Sequence, residues 1–490
     1  MSPQPEATEG LREFQVQDAS VELPQEGDLQ FQKILVIVAG FTIMLTTNAL
    51  IFSAGVYQAL YEEMASEPDN PFSGASSALI GLVGTLAIGL MSMTGPFVMM
   101  WIKLYRPQTV VAVAGVLFGV AYILASVSRT LWQFALTQGV LVGISVSMSY
   151  IPATTTAPTW FNERRGLAMG IVISGSAVGG MIWPSILTAM NDHMGFRNTL
   201  RVSGAICAVA IIAVSPAVKW EPGFNQQIQA ERQALIQRAR GSCHHPRPSF
   251  LQLPLINWRL TLTKKFLAKA AGCMLQSAAY STPLIYYAAF GRSLGYSATT
   301  AANFITISNA ANAVSRVGMG YAADKYGRIN MLFATTFLSA VAVAAFWIPA
   351  TVAGATAAGK ALFIVFTLLY GSFASSYIAL FPASLVELFG KKDFTSVNGA
   401  LYLVRGIGAL LGTPLTGLLI PQGRALLSPA VYERAAIAVT ALLFPASFCI
   451  LWVRLEMTAG KDWRWKHQVF VLHIRPQGVE NRASRPLSCT

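Results

Sequence analysis

The sequence predicts an all-α polytopic membrane protein with twelve transmembrane helices in two six-helix halves. Three observations predict this class: the composition, the number of long apolar segments, and the placement of basic residues between them. Hydrophobic residues make up 54% of the 490 residues and charged residues only 12%. Soluble domains carry about 25% charged residues. A soluble fold of this length could not bury so much apolar surface, so the lipid bilayer is the expected surroundings.

Twelve segments are apolar over the ~20 residues that a helix needs to cross a bilayer. In chain order they are residues 34–57, 77–101, 107–127, 131–152, 166–189, 199–218, 266–289, 298–321, 329–349, 360–381, 396–419 and 432–454. A polar, proline-containing segment separates the sixth span from the seventh. The predicted organisation is therefore an N-terminal tail, a six-helix half, a linker, a second six-helix half and a C-terminal tail, at residues 1–32, 33–218, 219–265, 266–455 and 456–490.

The basic residues predict the orientation, because lysine and arginine favour the cytoplasmic side of short membrane loops. If the N-terminus is cytoplasmic, most of the basic residues between and beyond the spans fall on the cytoplasmic side. The outer side then carries only Arg129, Arg197, Arg201, Arg292, Lys360, Arg424 and Arg434. Both tails are therefore predicted to be cytoplasmic. The plasma membrane is the expected location, with a vacuolar membrane as the alternative.

A charged loop after span 8 reads Gly320-Tyr-Ala-Ala-Asp324-Lys325-Tyr326-Gly327-Arg328. The small Gly320 allows two helices to approach, and Asp324 can face a helix N-terminus and a nearby arginine. The stretch resembles the loop signature of the major facilitator superfamily, G-x-x-x-D-[RK]-x-G-[RK]. The resemblance implies that Gly320, Asp324, Lys325, Gly327 and Arg328 gate a conformational change. The alternative is a charged loop with a helix cap.

Further patterns occur in both halves. Residues 160–170 read Trp-Phe-Asn-Glu-Arg-Arg-Gly-Leu-Ala-Met-Gly, residues 406–417 carry spaced glycines, and residues 53–58 read Ser-Ala-Gly-Val-Tyr-Gln. In their order these stretches are similar to the monocarboxylate transporter family, in particular its fungal members. The family loop motif then falls on Phe161, Arg164, Arg165 and Gly170. The resemblance implies a secondary carrier that alternates access to a central cavity between two halves.

The candidate substrate site begins at Arg316, because a charge at bilayer depth costs roughly 2.5–3.5 kcal/mol and marks a functional site by default. The family has an arginine at this position in span 8, and there it binds the substrate carboxylate, to which a guanidinium is matched in geometry. Asn309 and Asn312 share its helix face. The alternative role for Arg316 is packing or gating.

Other polar residues in the spans are candidates for the same cavity. Arg405 in span 11 could meet an anion or anchor two helices. Asn48, Gln276 and Tyr280 could line the cavity or form interhelical hydrogen bonds. Lys269, one turn inside span 7, is expected to extend to the membrane interface and to be structural.

Two departures from the family concern proton coupling. The proton-coupled members have an aspartate where this chain has Asn312, and a lysine in span 1 at the position that matches Phe52. An asparagine cannot exchange a proton near neutral pH. Coupling through the usual lysine–aspartate pair is therefore not expected.

The predicted function is secondary active or facilitative transport of a small organic anion or acidic metabolite. Efflux of a secondary metabolite, including a largely apolar one, is the alternative, and a non-transporting membrane sensor is a third interpretation. An enzyme is not expected: Gly318-x-Gly320-x-x-Ala323 imitates a dinucleotide fingerprint but ends a span without a preceding strand. Cys243-His244-His245 has no second pair of ligands, so neither metal nor cofactor is predicted. The expected partners are a small-molecule substrate and the bilayer, and nucleic acid is excluded.

Overall fold

The structure is a computed structural model that describes residues 26–48, 54–65, 70–75, 77–241, 258–420 and 428–459. Within these residues the regular secondary structure is helical, with no strand. The predictions for the two tails, for Phe52 and for residues 243–245 concern residues wholly or largely outside this part. The side chain of Asn48 is also outside it.

The described residues of the first half form eight α-helices, two of which continue through π-helical turns at Met44–Asn48 and Ala135–Leu141. The described residues of the first six predicted spans lie mainly in these helices. They are α1 (Glu26–Ile43), α2 (Ala54–Ala65), α3 (Ser77–Met93), α4 (Gly95–Leu104), α5 (Pro107–Val127), α6 (Leu131–Phe134), α7 (Val142–Thr156) and α8 (Arg165–Val214). The segment between the halves contains α9 (Pro222–Gly241) and α10 (Trp258–Thr261).

The second half covers predicted spans seven to twelve. Its helices are α11 (Lys264–Ser293), α12 (Ala298–Tyr326), α13 (Arg328–Ala342), α14 (Ile348–Ala353), α15 (Ala357–Ala374), α16 (Ser376–Gly417) and α17 (Glu433–Ala459). A π-helical turn at Val343–Trp347 joins α13 to α14. Side chains of Thr263 and Ser297 accept hydrogen bonds from the first turns of α11 and α12, which fixes where those helices begin.

Length and hydropathy alone identify eight described helices that could cross a membrane, or nine if the bent pair Leu79–Met93 and Gly95–Leu104 is one span. One of the eight, Arg165–Ala217, holds two predicted spans that meet at Gly195. Gly195 has φ 74°, a left-handed conformation that favours glycine and reverses the chain there. The helices α11 and α12 are too polar to pass the same test, and they carry Lys269 and Arg316.

The two halves meet chiefly where α8 packs on α12 and where α3 and α4 pack on α16. Glycines bring these backbones together. A Cβ atom added to Gly166 would collide with the carbonyl oxygen of Gly320, and one added to Gly406 would lie 2.7 Å from the backbone nitrogen of Met93. Small residues allow such close approach between membrane helices. The contact between Gly166 and Gly320 lies where α8 begins and α12 ends.

Candidate functional site

Asp324 lies at the end of α12 and faces the first turn of α8. Its Oδ1 accepts a hydrogen bond from the backbone N–H of Gly166 at 2.8 Å, and its Oδ2 accepts one from Leu167 at 2.9 Å. A carboxylate is stabilised there because the N–H groups of a first helical turn lack helical partners and carry a partial positive charge. The contact between Asp324 and a helix N-terminus was predicted from the sequence, and the structure confirms it.

Arg328 completes this contact from the start of α13. Its Nη2 donates to Oδ1 of Asp324 at 2.9 Å and to the carbonyl oxygen of Glu163 at 3.2 Å. A carboxylate oxygen of Glu387 lies 3.9 Å from Nη1. We call Gly166, Leu167, Asp324 and Arg328 the gate cluster. It joins the second half of the chain to the first through charge-assisted hydrogen bonds, which are stronger than neutral ones.

The other motif residues shape the segments around the gate cluster. Arg165 is buried, and its Nε donates to the carbonyl oxygens of Pro158 and Phe161 at 3.0 and 2.5 Å, so that it holds the loop before α8. Arg164 is exposed. Lys325 lies over the ring of Tyr326 at 5.6 Å. Gly327, with φ 95°, makes the left-handed turn between α12 and α13.

Arg316 is buried between the halves, with 2% of its surface exposed. Its Nη1 donates to the carbonyl oxygen of Ile173 at 2.6 Å and to the hydroxyl of Ser176 at 2.5 Å, both on α8. Its Nε has no hydrogen-bond partner, and neither does Oδ1 of the buried Asn312 four residues earlier. Buried polar atoms without partners are rare in folded proteins.

Arg405 is also buried between the halves. Its Nη1 donates to the hydroxyl of Tyr150 on α7 at 3.2 Å. Its guanidinium lies 5.3 Å from the ring centroid of Tyr377 and 5.7 Å from that of Tyr402. Cation–π contacts of this kind partly replace the water that a buried guanidinium loses.

The two arginines share their surroundings. Tyr150 and Tyr280 interact electrostatically with both guanidinium groups, and Tyr280 packs edge-on against Tyr377 at 6.0 Å. We call Arg316, Arg405, Tyr150 and Tyr280 the arginine–tyrosine cluster. In the described part of the chain, no aspartate or glutamate contacts either guanidinium. The cluster therefore holds two buried positive charges, and their hydrogen-bond acceptors among the described residues are neutral carbonyl and hydroxyl groups.

The remaining candidate residues lie in different surroundings in the structure. Asn309 donates to the carbonyl oxygen of Gly180 on α8 at 3.4 Å, an interhelical hydrogen bond. Gly170 lies against the backbone of Arg316, so the loop motif and the predicted substrate site are adjacent. Lys269 was expected to extend to the membrane interface, but its side chain is buried, with 3% of its surface exposed, so that prediction was wrong. Its position depends on which face of α11 points inward.

Sequence reasoning missed Tyr150, Ser176 and Tyr377 as partners of the arginines. Tyr150 follows three serines spaced two apart in span 4, and this polar run inside an apolar segment was a usable signal. Ser176 lies one residue after Gly175 in the glycine-rich span 5 and gave no comparable signal. The contacts of Ser176 with Arg316 and of Tyr150 with Arg405 each join residues more than one hundred positions apart, which no local pattern can indicate.

Comparison with known proteins gives a consistent result. The family model described as Major Facilitator Superfamily matches residues 34–359 and 273–467, which is most of the chain. An MFS-type transporter of Gibberella moniliformis is 25% identical over 409 residues, 84% of this chain and 89% of the relative. The fujikurins efflux protein of Gibberella fujikuroi is 27% identical over 79% of this chain and 76% of its own length.

Two further similarities complete the comparison. The agnestins efflux protein AgnL12 of Paecilomyces divaricatus is 26% identical over 83% of this chain and 85% of its own length. Among solved structures, the human organic anion transporter MFSD10 (TETRAN) superimposes with a TM-score of 0.54 at 13% identity. The superposition covers 87% of this chain and 100% of that one. At this level of identity, the structural similarity concerns the fold.

Proposed function

The chain belongs to the major facilitator superfamily, and on this premise we propose that it exports an organic anion with an aromatic or otherwise apolar body. Transporters of this superfamily, among them efflux proteins for fungal metabolites, are its relatives over most of its length. Within the superfamily we place it near the monocarboxylate transporters, with cytoplasmic termini in the plasma membrane. The loop motif from Phe161 to Gly170 and the basic residues of the inner loops support that placement.

One observation carries the choice of cargo: the arginine–tyrosine cluster buries two guanidinium groups without a carboxylate in contact. Removing a charge from water is costly unless an opposite charge or several hydrogen bonds replace the solvent. Neutral acceptors replace it only in part, since Nε of Arg316 has no partner. An anionic cargo supplies the missing charge, and the rings of Tyr150, Tyr280 and Tyr377 offer an apolar lining for its body.

The same contacts suggest how binding is linked to movement. Arg316 and Arg405 lie on the second half, and their acceptors, Ser176 and Tyr150, lie on the first. Both hydrogen bonds hold the halves together in the present conformation. An anion that binds the guanidinium groups competes with these neutral acceptors and so weakens the hydrogen bonds that hold the two halves together. Alternating access would then result because Arg316 and Arg405 exchange their hydrogen-bond partners on the first half for the bound anion.

The test uses purified protein in proteoliposomes and two aromatic probes that differ in charge. Labelled naphthalenesulfonate is permanently anionic, and naphthalenesulfonamide is its neutral counterpart. We expect counterflow of the sulfonate above that of empty liposomes, and little counterflow of the sulfonamide. Arg316→Gln should abolish the sulfonate flux because it removes the charge at similar size.

A matched control is Arg129→Gln, which removes the charge of an exposed arginine remote from the cluster. This variant should transport as the wild type does. Equal transport of the sulfonamide and the sulfonate, or unchanged flux in Arg316→Gln, would show that the cargo is not selected by charge. A neutral-metabolite exporter would then be the better description.

A further inference from the structure

The arginine–tyrosine cluster carries more positive charge than a cargo with one acidic group would balance. Arg316 and Arg405 are only 2% and 6% exposed, and a guanidinium group keeps its proton in proteins. The ion pairs among the described residues join Arg328 to Asp324 and to Glu387, and none of them includes either buried arginine. A cargo with a single negative charge would therefore leave one buried guanidinium without an opposite charge, which is costly.

The two carboxylates nearest to this charge in the chain interact with other groups. Glu387, on the same helix as Arg405, lies 3.9 Å from Nη1 of Arg328 and interacts electrostatically with the buried Lys269. Both carboxylate oxygens of Asp324, on the same helix as Arg316, accept hydrogen bonds from the first turn of α8. The opposite charge for the two arginines must therefore come from the cargo.

The two guanidinium groups interact electrostatically with each other, but their hydrogen bonds are separate. Arg316 donates to Ile173 and Ser176 on α8, and Arg405 donates to Tyr150 on α7. Over the residues that the structure describes, the two arginines share no hydrogen-bond acceptor. This separation favours one acidic group at each arginine over a single group that bridges both.

The surroundings of Arg405 and of its tyrosine neighbours are aromatic. The guanidinium lies 5.3 Å from the ring centroid of Tyr377 and 5.7 Å from that of Tyr402. Tyr280 packs edge-on against Tyr377 at 6.0 Å, and Tyr150 packs edge-on against Tyr402 at 5.9 Å. Aromatic rings favour such edge-on and offset contacts with a further ring, so an aromatic body between two acidic groups suits this lining.

We propose that the exported anion is a dianion, with an apolar or aromatic body and one acidic group for each arginine. The proposal rests on the anion-export function above and adds the charge of its cargo. A dianion supplies both missing charges, and it replaces both hydrogen bonds that Arg316 and Arg405 make to the first half. A monoanion replaces the acceptor at one arginine and leaves the other bond between the halves in place.

The experiment compares two probes of nearly equal size and shape in counterflow into proteoliposomes. Labelled naphthalenedisulfonate, with one sulfonate on each ring, is a permanent dianion. In its monosulfonamide, a neutral sulfonamide replaces one of the two sulfonates. The second negative charge adds charge-assisted hydrogen bonds, so the KM of the disulfonate should be roughly ten- to a hundredfold below that of the monosulfonamide.

Arg405→Gln tests whether the second acidic group meets this arginine. The substitution should raise the KM of the disulfonate much more than that of the monosulfonamide, so that the ratio of the two values falls toward one. Arg129→Gln, which changes an exposed arginine, should keep the wild-type ratio. Size-exclusion chromatography establishes that each variant is folded.

The outcomes separate the charge of the cargo from the export of anions. If Arg405→Gln raises both KM values by the same factor, Arg405 has a packing role only, and the proposal is overturned. If the wild type carries the monosulfonamide as well as or better than the disulfonate, the cargo is a monoanion, and anion export stands. If the wild type carries neither of these probes nor naphthalenesulfonate, the anion-export function itself fails, and the dianion proposal fails with it.

Discussion

Both carboxylate oxygens of Asp324 bind the backbone at the start of α8, the nearer contact being 2.8 Å to the N–H of Gly166. The two residues are 158 positions apart and belong to different halves of the transporter. The backbone of Gly166 also contacts Gly320, so this one residue takes part in both the hydrogen bond and the close packing of the two helices. Opening this end of the bundle requires both to break together.

Asp324→Asn should weaken the closed conformation at this end. The amide keeps one acceptor oxygen but loses the charge that the helix N-terminus and Arg328 stabilise. Hydrogen bonds to charged groups contribute about 1.5–3 kcal/mol, so the closed population should fall roughly ten- to a hundredfold relative to the open one. Spin labels placed on α8 and α12 near this end would report a longer distance in the variant.

The control for this prediction is Glu387→Gln. Glu387 approaches Arg328 only at 3.9 Å and is partly exposed, so its loss should leave the label distances almost unchanged. Equal distance distributions for the wild type and Asp324→Asn would show that the gate cluster does not hold the conformation.

Gly170→Ala should impair transport by blocking closure. A Cβ atom at Gly170 would collide with the carbonyl oxygen of Arg316 and approach the backbone of Val317 at 3.2 Å, and backbone cannot yield as a flexible side chain can. We expect the maximal rate to fall by about tenfold or more, since each transport cycle must pass through this packing. The measurement is initial naphthalenesulfonate counterflow at saturating concentration.

Gly318→Ala provides the matched comparison on the facing helix. A Cβ atom there meets no atom within 4 Å, so the same substitution should be tolerated. A similar loss of rate in both variants would point to a general effect of alanine on helix flexibility rather than to the contact with Arg316.

Tyr150→Phe should lower the KM for the anion by roughly two- to tenfold, because the anion then no longer competes with a hydrogen bond of about 0.5–1.5 kcal/mol. The hydroxyl of Tyr150 is the acceptor that orients Arg405, at 3.2 Å. Tyr122→Phe is the control, because Tyr122 stacks on Phe118 at 4.8 Å inside the first half. If Tyr150→Phe leaves KM unchanged, or if both variants lower it equally, the anion does not compete with Tyr150 for Arg405.

The sequence predicted those parts of the transporter that depend on short segments. Twelve apolar runs identified the spans, and the stretch from Gly320 to Arg328 indicated the pairing of Asp324 with Arg328, because these two residues are only four positions apart in the chain. The acceptors Ser176 and Tyr150 could not be predicted, since each meets its arginine only after two distant helices pack. The same limit applies to Lys269: the sequence indicated how far this residue lies inside its span, but not the direction in which its side chain points.

The last prediction concerns Asn312, whose Oδ1 has no partner and which lies one helical turn before Arg316. Asn312→Asp introduces a carboxylate one helical turn before Arg316, whose positive charge favours the ionised form. An ionised aspartate four residues before an arginine pairs with it and competes with the anionic cargo. We expect the KM for naphthalenesulfonate to rise about tenfold at neutral pH, equivalent to about 1.4 kcal/mol. Acidification protonates the aspartate and releases Arg316, so the ratio of variant KM to wild-type KM should fall toward one as pH falls.

Asn312→Ala removes the amide without adding charge, and its KM ratio should not change with pH. A constant ratio for Asn312→Asp would mean that the new carboxylate does not reach Arg316, and that this face of α12 is not the anion site.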